Sequence, residues 1–134
     1  GSKEVDAMIA VSPYKEDIIC IGWVPQQDVR VLMHGASMLM FPSFSEGFGM
    51  PLLEAFAAKT MVIAGSGSSL EEVGGDAAVY IEPQNVPALA QAIYMGLTEE
   101  HKRNVLIQKG SERVKKYSWN ICAEETRDVL LHNC

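Results

Sequence analysis

The sequence predicts an α/β fold, a Rossmann-like parallel sheet of about four strands with flanking helices. Short apolar runs rich in Ile, Val and Met alternate with longer helical patterns along the chain, which is typical of parallel strands joined by crossover helices. Three of these runs are almost wholly apolar, as strands covered on both faces are. The length of 134 residues is about that of one domain and is enough for a sizeable core.

Four runs are predicted to be strands because each is short, apolar and bounded by turn-forming residues. They are "IICIGWV" at 18–24, "SMLMFPS" at 37–43, "TMVIAG" at 60–65 and "AAVYIEP" at 77–83. Helical patterns fill the intervals, and Pro87 stands where the first turn of a helix tolerates proline. The predicted helices span residues 3–10, 26–36, 49–58, 69–74, 87–97, 99–116 and 119–132.

Charge and cysteine content narrow the range of functions. The formal net charge is −6, with 17 acidic and 11 basic residues, so the chain lacks the basic footprint of a protein that binds nucleic acid or an anionic membrane. Three widely spaced cysteines, Cys20, Cys122 and Cys134, suit neither a disulfide framework nor a zinc site. No apolar run approaches the roughly 18 residues that cross a bilayer, and the first residues do not resemble a signal peptide. We therefore expect a cytoplasmic protein.

The stretch "FPSFSEGFGMPLLEAFAA" at 41–58 holds the candidate site, because it leads from a strand through a turn into a helix. In a parallel sheet such a turn lies at the carboxyl edge, where open α/β folds bind ligands. The first turn of the helix presents unpaired N–H groups and the positive end of its dipole, which favour an anion such as phosphate. Pro51 has no N–H to offer. The predicted backbone donors are Phe48, Gly49, Met50 and Leu52.

Two carboxylates flank this anion site. Glu46 precedes the helix and Glu54 lies about one turn inside it, so both can accept hydrogen bonds from hydroxyl groups. An anionic group with polyhydroxyl groups on both sides describes a nucleotide-sugar. The same residues also fit an ordinary serine-glycine turn, with a glutamate that only complements the helix dipole. The residues alone leave that alternative open.

The stretch resembles the paired-glutamate motif of retaining GT-B glycosyltransferases, in particular of glycosyltransferase family four (group 1). The motif consists of Glu46, seven residues and Glu54, within "PSFSEGFGMPLLEAFA". Further segments stand in the family's order, with "IGWVPQQDVRVLMHGASMLMFPS" upstream and "SSLEEVGGDAAVYIEPQNVPALAQAI" and "YSW" downstream. The resemblance covers roughly residues 18–130, and it implies that residues 1–134 are part of the carboxy-terminal, donor-binding half of a GT-B fold.

The resemblance also implies a role for each site residue. Glu54 binds the ribose hydroxyls of the donor nucleotide, and Glu46 meets the donor sugar as the catalytic carboxylate. The backbone of four residues holds the sugar and the diphosphate: Phe48, Gly49, Met50 and Leu52. Val24 lies against the nucleobase, unless it is only a packed strand end. The donor is a UDP-, GDP- or ADP-linked sugar, and no metal or other cofactor is implied, because helix dipoles and basic side chains stabilise the departing diphosphate.

The chain also departs from the family pattern. The amino-terminal acceptor domain is absent from residues 1–134, and so are the first two strands of the carboxy-terminal domain with their Arg- and Lys-bearing loop. We therefore expect the chain to be inactive alone and to need an amino-terminal domain in cis or in trans. Lys59 stands where the family commonly has glycine, and a left-handed turn there costs roughly 1 kcal/mol without glycine. The alternative function is a non-catalytic module that binds a nucleotide-sugar or assists assembly.

The strand predicted at 18–24 poses a question of topology. In the doubly wound order 3-2-1-4-5-6 it is the third strand and the one at 37–43 is the fourth, so the two are not neighbours. Three outcomes are open: direct pairing of the two, detachment, or pairing of exposed edges between molecules in a homo-dimer. We expect direct pairing or a homo-dimer, because burial of this apolar run is worth about 25 cal/mol per Å².

Overall fold

The structure, a computed structural model, describes residues 3–132. Within that range, three parallel strands form one sheet in the order β1-β2-β3. The strands are β1 (Met38–Phe41), β2 (Met61–Gly65) and β3 (Val79–Ile81). The helices are α1 (Lys3–Val11), α2 (Gln26–Gly35), α3 (Met50–Ala57), α4 (Ser69–Gly74), α5 (Val86–Thr98), α6 (Glu100–Arg113) and α7 (Trp119–His132). Short 3-10 turns occupy Lys15–Asp17, Gly75–Ala77 and Val114–Lys116.

The predicted α/β class is confirmed, and each predicted helix is present within one or two residues of its expected start. The helix expected at 99–116 ends at Arg113 and continues as a 3-10 turn to Lys116. Three of the predicted strands are also present, each shorter than its apolar run. The strands are shorter because each is limited to the length over which its backbone is paired, whereas an apolar run can extend beyond that paired length.

Strand β2 forms the centre of the sheet. It runs parallel to both neighbours, with Met38 beside Met61 and Ile63 beside Val79. All of its residues are buried, as expected for a strand with a neighbour on each edge and helices on each face. Its successive side chains alternate between two core clusters, because side chains of a strand point to opposite faces. One cluster contains residues of α3 and α4, and the other contains residues of α5 and α6.

Helix α3 is the most deeply packed helix beside the sheet. Leu52 and Ala55 are fully buried and Phe56 is 1% exposed. The ring of Phe56 packs directly against the backbone of Gly110 on α6, where a Cβ atom would collide with it. The position of α3, and therefore of the loop that precedes it, is fixed by core packing.

The prediction of a strand at 18–24 is wrong, since this segment forms no strand and pairs with no strand within residues 3–132. Ile19 is 81% exposed and Trp23 is 88% exposed. Direct pairing with β1 is also wrong, because β1 pairs only with β2 within the described residues. An extended segment without a neighbour keeps its backbone groups hydrated, so apolar composition alone does not make it a strand. Pairing between two molecules stays a prediction.

The left-handed turn expected at Lys59 is confirmed. Lys59 has a φ of 58°, and its N–H donates to Phe56 O while the Thr60 N–H donates to Ala55 O. This pair of bonds is the Schellman motif, which satisfies the last carbonyl groups of a helix and usually has glycine at the left-handed position. Helix α3 therefore ends in a motif that lysine occupies under strain.

Candidate functional site

The loop between β1 and α3 lies at the carboxyl edge of the sheet, as the sequence predicts. Gly49 is the N-cap of α3, with a φ of 95°, and a Cβ atom at this position would collide with the side chain of Leu70. Glycine is therefore required both for backbone conformation and for space. The missing side chain at Gly49 lets the start of α3 pack against Leu70 of α4.

The start of α3 offers the unpaired donors expected of a helix N-terminus. Within residues 3–132, the N–H groups of Phe48, Gly49 and Met50 donate to no protein acceptor. Leu52 differs, because its N–H donates to Gly49 O at 3.0 Å and its side chain is fully buried. Of the four predicted backbone donors, Leu52 is thus the one that the helix already uses.

Glu46 lies in the loop ahead of α3 and is half-buried. Its carbonyl oxygen accepts a 2.6 Å hydrogen bond from Ser69 Oγ in the first turn of α4. In the same loop, Ser43 Oγ donates to Ser45 O, as expected of turn residues. The backbone at Glu46 is thereby tied to α4, which leaves its carboxylate as the part available for a ligand.

Glu54 lies one turn inside α3 and is half-buried. Its Oε1 accepts a 2.5 Å hydrogen bond from Gln26 Nε2, at the start of α2. Sequence reasoning missed Gln26, because the two residues are 28 positions apart and no local spacing connects them. The site therefore has a partner on a second helix.

Val24 is half-buried and stands two residues before Gln26, just ahead of Pro25, the N-cap of α2. It follows Gly22, which has a φ of 64°. Because Gln26 contacts Glu54, the segment that bears Val24 approaches the candidate ribose-binding carboxylate. This placement is compatible with the predicted nucleobase contact.

A groove of about 1060 Å³ runs between α2, α3 and α7, beside the start of α3. Its floor includes Met50 and Leu53, and Trp119 of α7 forms part of its wall. Charged groups of both signs line it. They include Arg30, Glu54, Lys116 and Glu125. The groove therefore contains the candidate carboxylate on α3 within a mostly apolar surface.

Two residues that sequence reasoning left out of the site, Arg113 and Tyr117, support the loop ahead of α3, and Tyr117 also lines the groove. The Tyr117 ring meets Phe48 edge-on, with centroids 5.8 Å apart. Arg113 Nε donates to Val73 O at 2.9 Å, and the Tyr117 hydroxyl donates to the same carbonyl at 3.2 Å. A guanidinium at the end of α4 also complements the negative end of that helix. The backbone ahead of α3 is thus braced through Phe48.

Helix α4 is also fixed in its first turn. The Tyr80 hydroxyl donates to Leu70 O at 3.2 Å. Burial, with the nearby Glu71 charge, raises the pKa of Tyr80 to about 12, so it remains a neutral donor at physiological pH. In the 3-10 turn that follows α4, the hydrogen bond and charge of Lys109 lower the pKa of Asp76. The perturbed groups therefore belong to the scaffold and lie outside the paired carboxylates.

Among residues 3–132, no group of three or more His, Cys, Asp or Glu side chains is arranged to hold a metal ion. In the same part of the chain, no helix combines the length and the apolar character needed to cross a bilayer.

The fold and the site define a class: a Rossmann-like domain in which a helix start with unpaired N–H groups lies between two glutamates in the sequence. The model of the family "Glycosyl transferases group 1" matches residues 1–113, and the chain belongs to that family. The O-antigen chain mannosyltransferase B of Escherichia coli is 35% identical over 106 residues, which cover 79% of this chain and 28% of the relative. An uncharacterized glycosyltransferase of Methanocaldococcus jannaschii is 29% identical over 121 residues, covering 86% of this chain and 30% of the relative.

The fold is also found in a solved structure. Sucrose-phosphate synthase from Thermosynechococcus elongatus superposes with a TM-score of 0.86 and 24% identity, over 96% of this chain and 33% of that one. This match and the parallel sheet identify the chain as a Rossmann-like part of a GT-B fold. The chain spans less than a third of the length of the curated relatives described above.

Proposed function

We propose that this chain is the donor-binding part of a retaining glycosyltransferase of family four, equivalent to part of its carboxy-terminal domain. The observation that carries the proposal is the start of α3, where unpaired N–H groups lie between two carboxylates. The donor is a UDP-, GDP- or ADP-linked sugar. The sugar proposed first is mannose, because the E. coli relative is named as a mannosyltransferase.

The chemistry follows from the order of groups along the site. The N–H groups at Phe48, Gly49 and Met50 bind the diphosphate, and the positive end of α3 stabilises the charge that develops as the diphosphate departs. Glu54 accepts hydrogen bonds from the ribose hydroxyls on one side. Glu46 meets the sugar on the other side. The proposal includes no metal ion.

The complete enzyme requires more than residues 1–134. We propose that an amino-terminal domain, in cis or in trans, binds the acceptor and closes the cleft over the donor. A basic loop that grips the diphosphate would add charge-assisted hydrogen bonds, each worth about 1.5–3 kcal/mol, so this chain alone should bind nucleotides weakly and transfer no sugar. The exposed free thiols of Cys20 and Cys122 support a reducing, cytoplasmic location.

Glu54→Gln tests the proposal. Because Glu54 reaches into an open crevice, the substitution should leave the melting temperature nearly unchanged. It should weaken donor-nucleotide binding by about 1–3 kcal/mol, measured by titration calorimetry or NMR. Glu125→Gln is the matched control, since Glu125 lines the same groove from α7 and should leave affinity unchanged.

Two results would contradict the site assignment. A melting temperature many degrees lower in Glu54→Gln would make Glu54 a structural residue. Equal nucleotide affinity in Glu54→Gln and Glu125→Gln would remove Glu54 from the site. The alternative, a non-catalytic binding module, makes the same nucleotide contacts, and it differs in showing no sugar transfer when an amino-terminal domain is supplied.

A further inference from the structure

Gln26 is the residue through which helix α2 reaches the site. It is the first residue of α2, it is exposed, and its amide nitrogen donates to Glu54 Oε1 at 2.5 Å. None of the residues from α1 to the end of α2 is fully buried. Met33 is the α2 side chain that packs, partly buried, against the core cluster containing α3 residues, so the helix that contacts Glu54 has little core packing of its own.

Hydrogen bonds hold α2 against α3 at its other end. Thr60 Oγ1, just after α3, donates to Met33 O at 2.5 Å. His34 Nδ1 donates to Ala58 O at 3.2 Å. Together with the Gln26 bond, these contacts fix both ends of α2 against α3. Gln26 is thus presented to Glu54 from an anchored helix and not from a free loop.

A glutamate on a helix surface has several rotamers, and a ligand that needs one of them must order the side chain on binding. The Gln26 amide occupies one lone pair of Oε1. The carboxylate keeps its remaining lone pairs for other donors. Its orientation is then fixed before the nucleotide arrives.

We propose that Gln26 is a positioning residue for Glu54, which sets the carboxylate to receive the ribose hydroxyls of the donor nucleotide. The inference rests on the proposed function, because it concerns the same site. Gln26 acts through Glu54, so its effect must depend on the presence of both the carboxylate and the ribose hydroxyls. A residue that only stabilised the fold would not show this dependence on the carboxylate and the ribose hydroxyls.

The experiment uses the 134-residue protein and NMR titration with UDP, GDP and ADP. The nucleotide that binds most tightly is then compared with its 2′,3′-dideoxy counterpart (here the deoxynucleotide), which has neither ribose hydroxyl. The variants are Gln26→Met, which removes the amide donor at similar size, and Gln26→Glu, which places a second carboxylate against Glu54. Gln27→Met is the matched control, since Gln27 is the next residue of α2, is exposed and has no side-chain partner within residues 3–132.

Gln26→Met should weaken binding of the ribonucleotide about three- to tenfold, which is the usual effect of one lost hydrogen bond. It should change binding of the deoxynucleotide less than about twofold, and it should have no added effect in a Glu54→Met background, which lacks the acceptor. Gln26→Glu should weaken binding further, because it replaces the donor with a second carboxylate beside Glu54. Gln27→Met should match the unmodified protein.

The outcomes distinguish the inference from the function on which it rests. If the unmodified protein binds none of the three nucleotides, the proposed function fails and the inference fails with it. If the protein prefers the ribonucleotide but Gln26→Met behaves like Gln27→Met, only the inference is overturned. Equal losses for ribo- and deoxynucleotide in Gln26→Met would also overturn it, because they would show an effect on the fold and not on Glu54.

Discussion

Residues 18–24 and helix α3 are both rich in large apolar side chains, and they have opposite environments in the folded protein. Ile19 and Trp23 are 81% and 88% exposed, whereas Leu52 and Phe56 are 0% and 1% exposed. The α3 side chains contact the sheet and α6, while the residues at 18–24 pair with no strand of the described chain. The burial of an apolar segment therefore depends on whether other parts of the protein pack against it, as well as on the composition of the segment.

The difference has a consequence for the candidate site, because the site joins both kinds of region. Glu54 stands on the buried scaffold of α3, and Gln26 stands on α2, where no residue is fully buried. The start of α3 is thus held by core packing, whereas α2 is held against α3 mainly by hydrogen bonds at its two ends.

The largest expected effect compares one aromatic residue from each region. Phe56→Ala should lower the free energy of unfolding by about 3–5 kcal/mol, because it empties a packed core position. Trp23→Ala should change it by less than about 0.5 kcal/mol, as for an exposed side chain. Urea unfolding of the two variants measures both values. Comparable losses in the two variants would show that residues 18–24 are buried in solution, for example in a dimer.

A second comparison uses glycines with positive φ in the two regions. Gly49→Ala should cost about 2–3 kcal/mol, since it adds left-handed strain and a collision with Leu70. Gly22→Ala should cost about 1 kcal/mol, because its φ is 64° but open space surrounds it. The same unfolding experiment applies. An equal cost at both positions would mean that the packing of Gly49 against α4 adds nothing.

The smallest expected effect is an increase in stability. Lys59→Gly should stabilise the protein by about 0.5 kcal/mol, because relief of left-handed strain outweighs the added entropy of the unfolded chain. Lys59→Ala is the control and should be near neutral, since alanine has the same strain. Thermal unfolding of the unmodified protein and the two variants measures the order of their stabilities. A lower stability of Lys59→Gly would mean that the lysine side chain makes a compensating interaction.

Local patterns predicted most of the fold and the positions of the paired carboxylates. Helix periodicity located α3, and the strand-turn-helix order placed Glu46 and Glu54 at the carboxyl edge of the sheet. What the sequence did not predict depends on distant partners. Gln26 and Glu54 are 28 positions apart, and Arg113 and Val73 are 40 positions apart. Contacts of this kind follow from tertiary packing, for which a single sequence has no periodic signal.

The strand predicted at 18–24 was wrong for a related reason. Period and composition describe the side chains of a segment, but a strand also needs a backbone partner. The prediction that the Leu52 N–H is free to bind a ligand failed for the same reason. That N–H already donates to Gly49 O within the first turn of α3. In both cases the sequence does not say which hydrogen-bond partner a backbone group finds in the folded chain.

The central claim is that the start of α3 is a preassembled site for the diphosphate of a nucleotide-sugar. The most direct test is an NMR titration of the 134-residue protein with UDP, GDP and ADP, following every backbone amide. We expect weak binding in which the amides of residues 46–54 shift first, with the largest changes at Phe48, Gly49 and Met50. Shifts confined to other parts of the chain, or none with any of the three nucleotides, would contradict it.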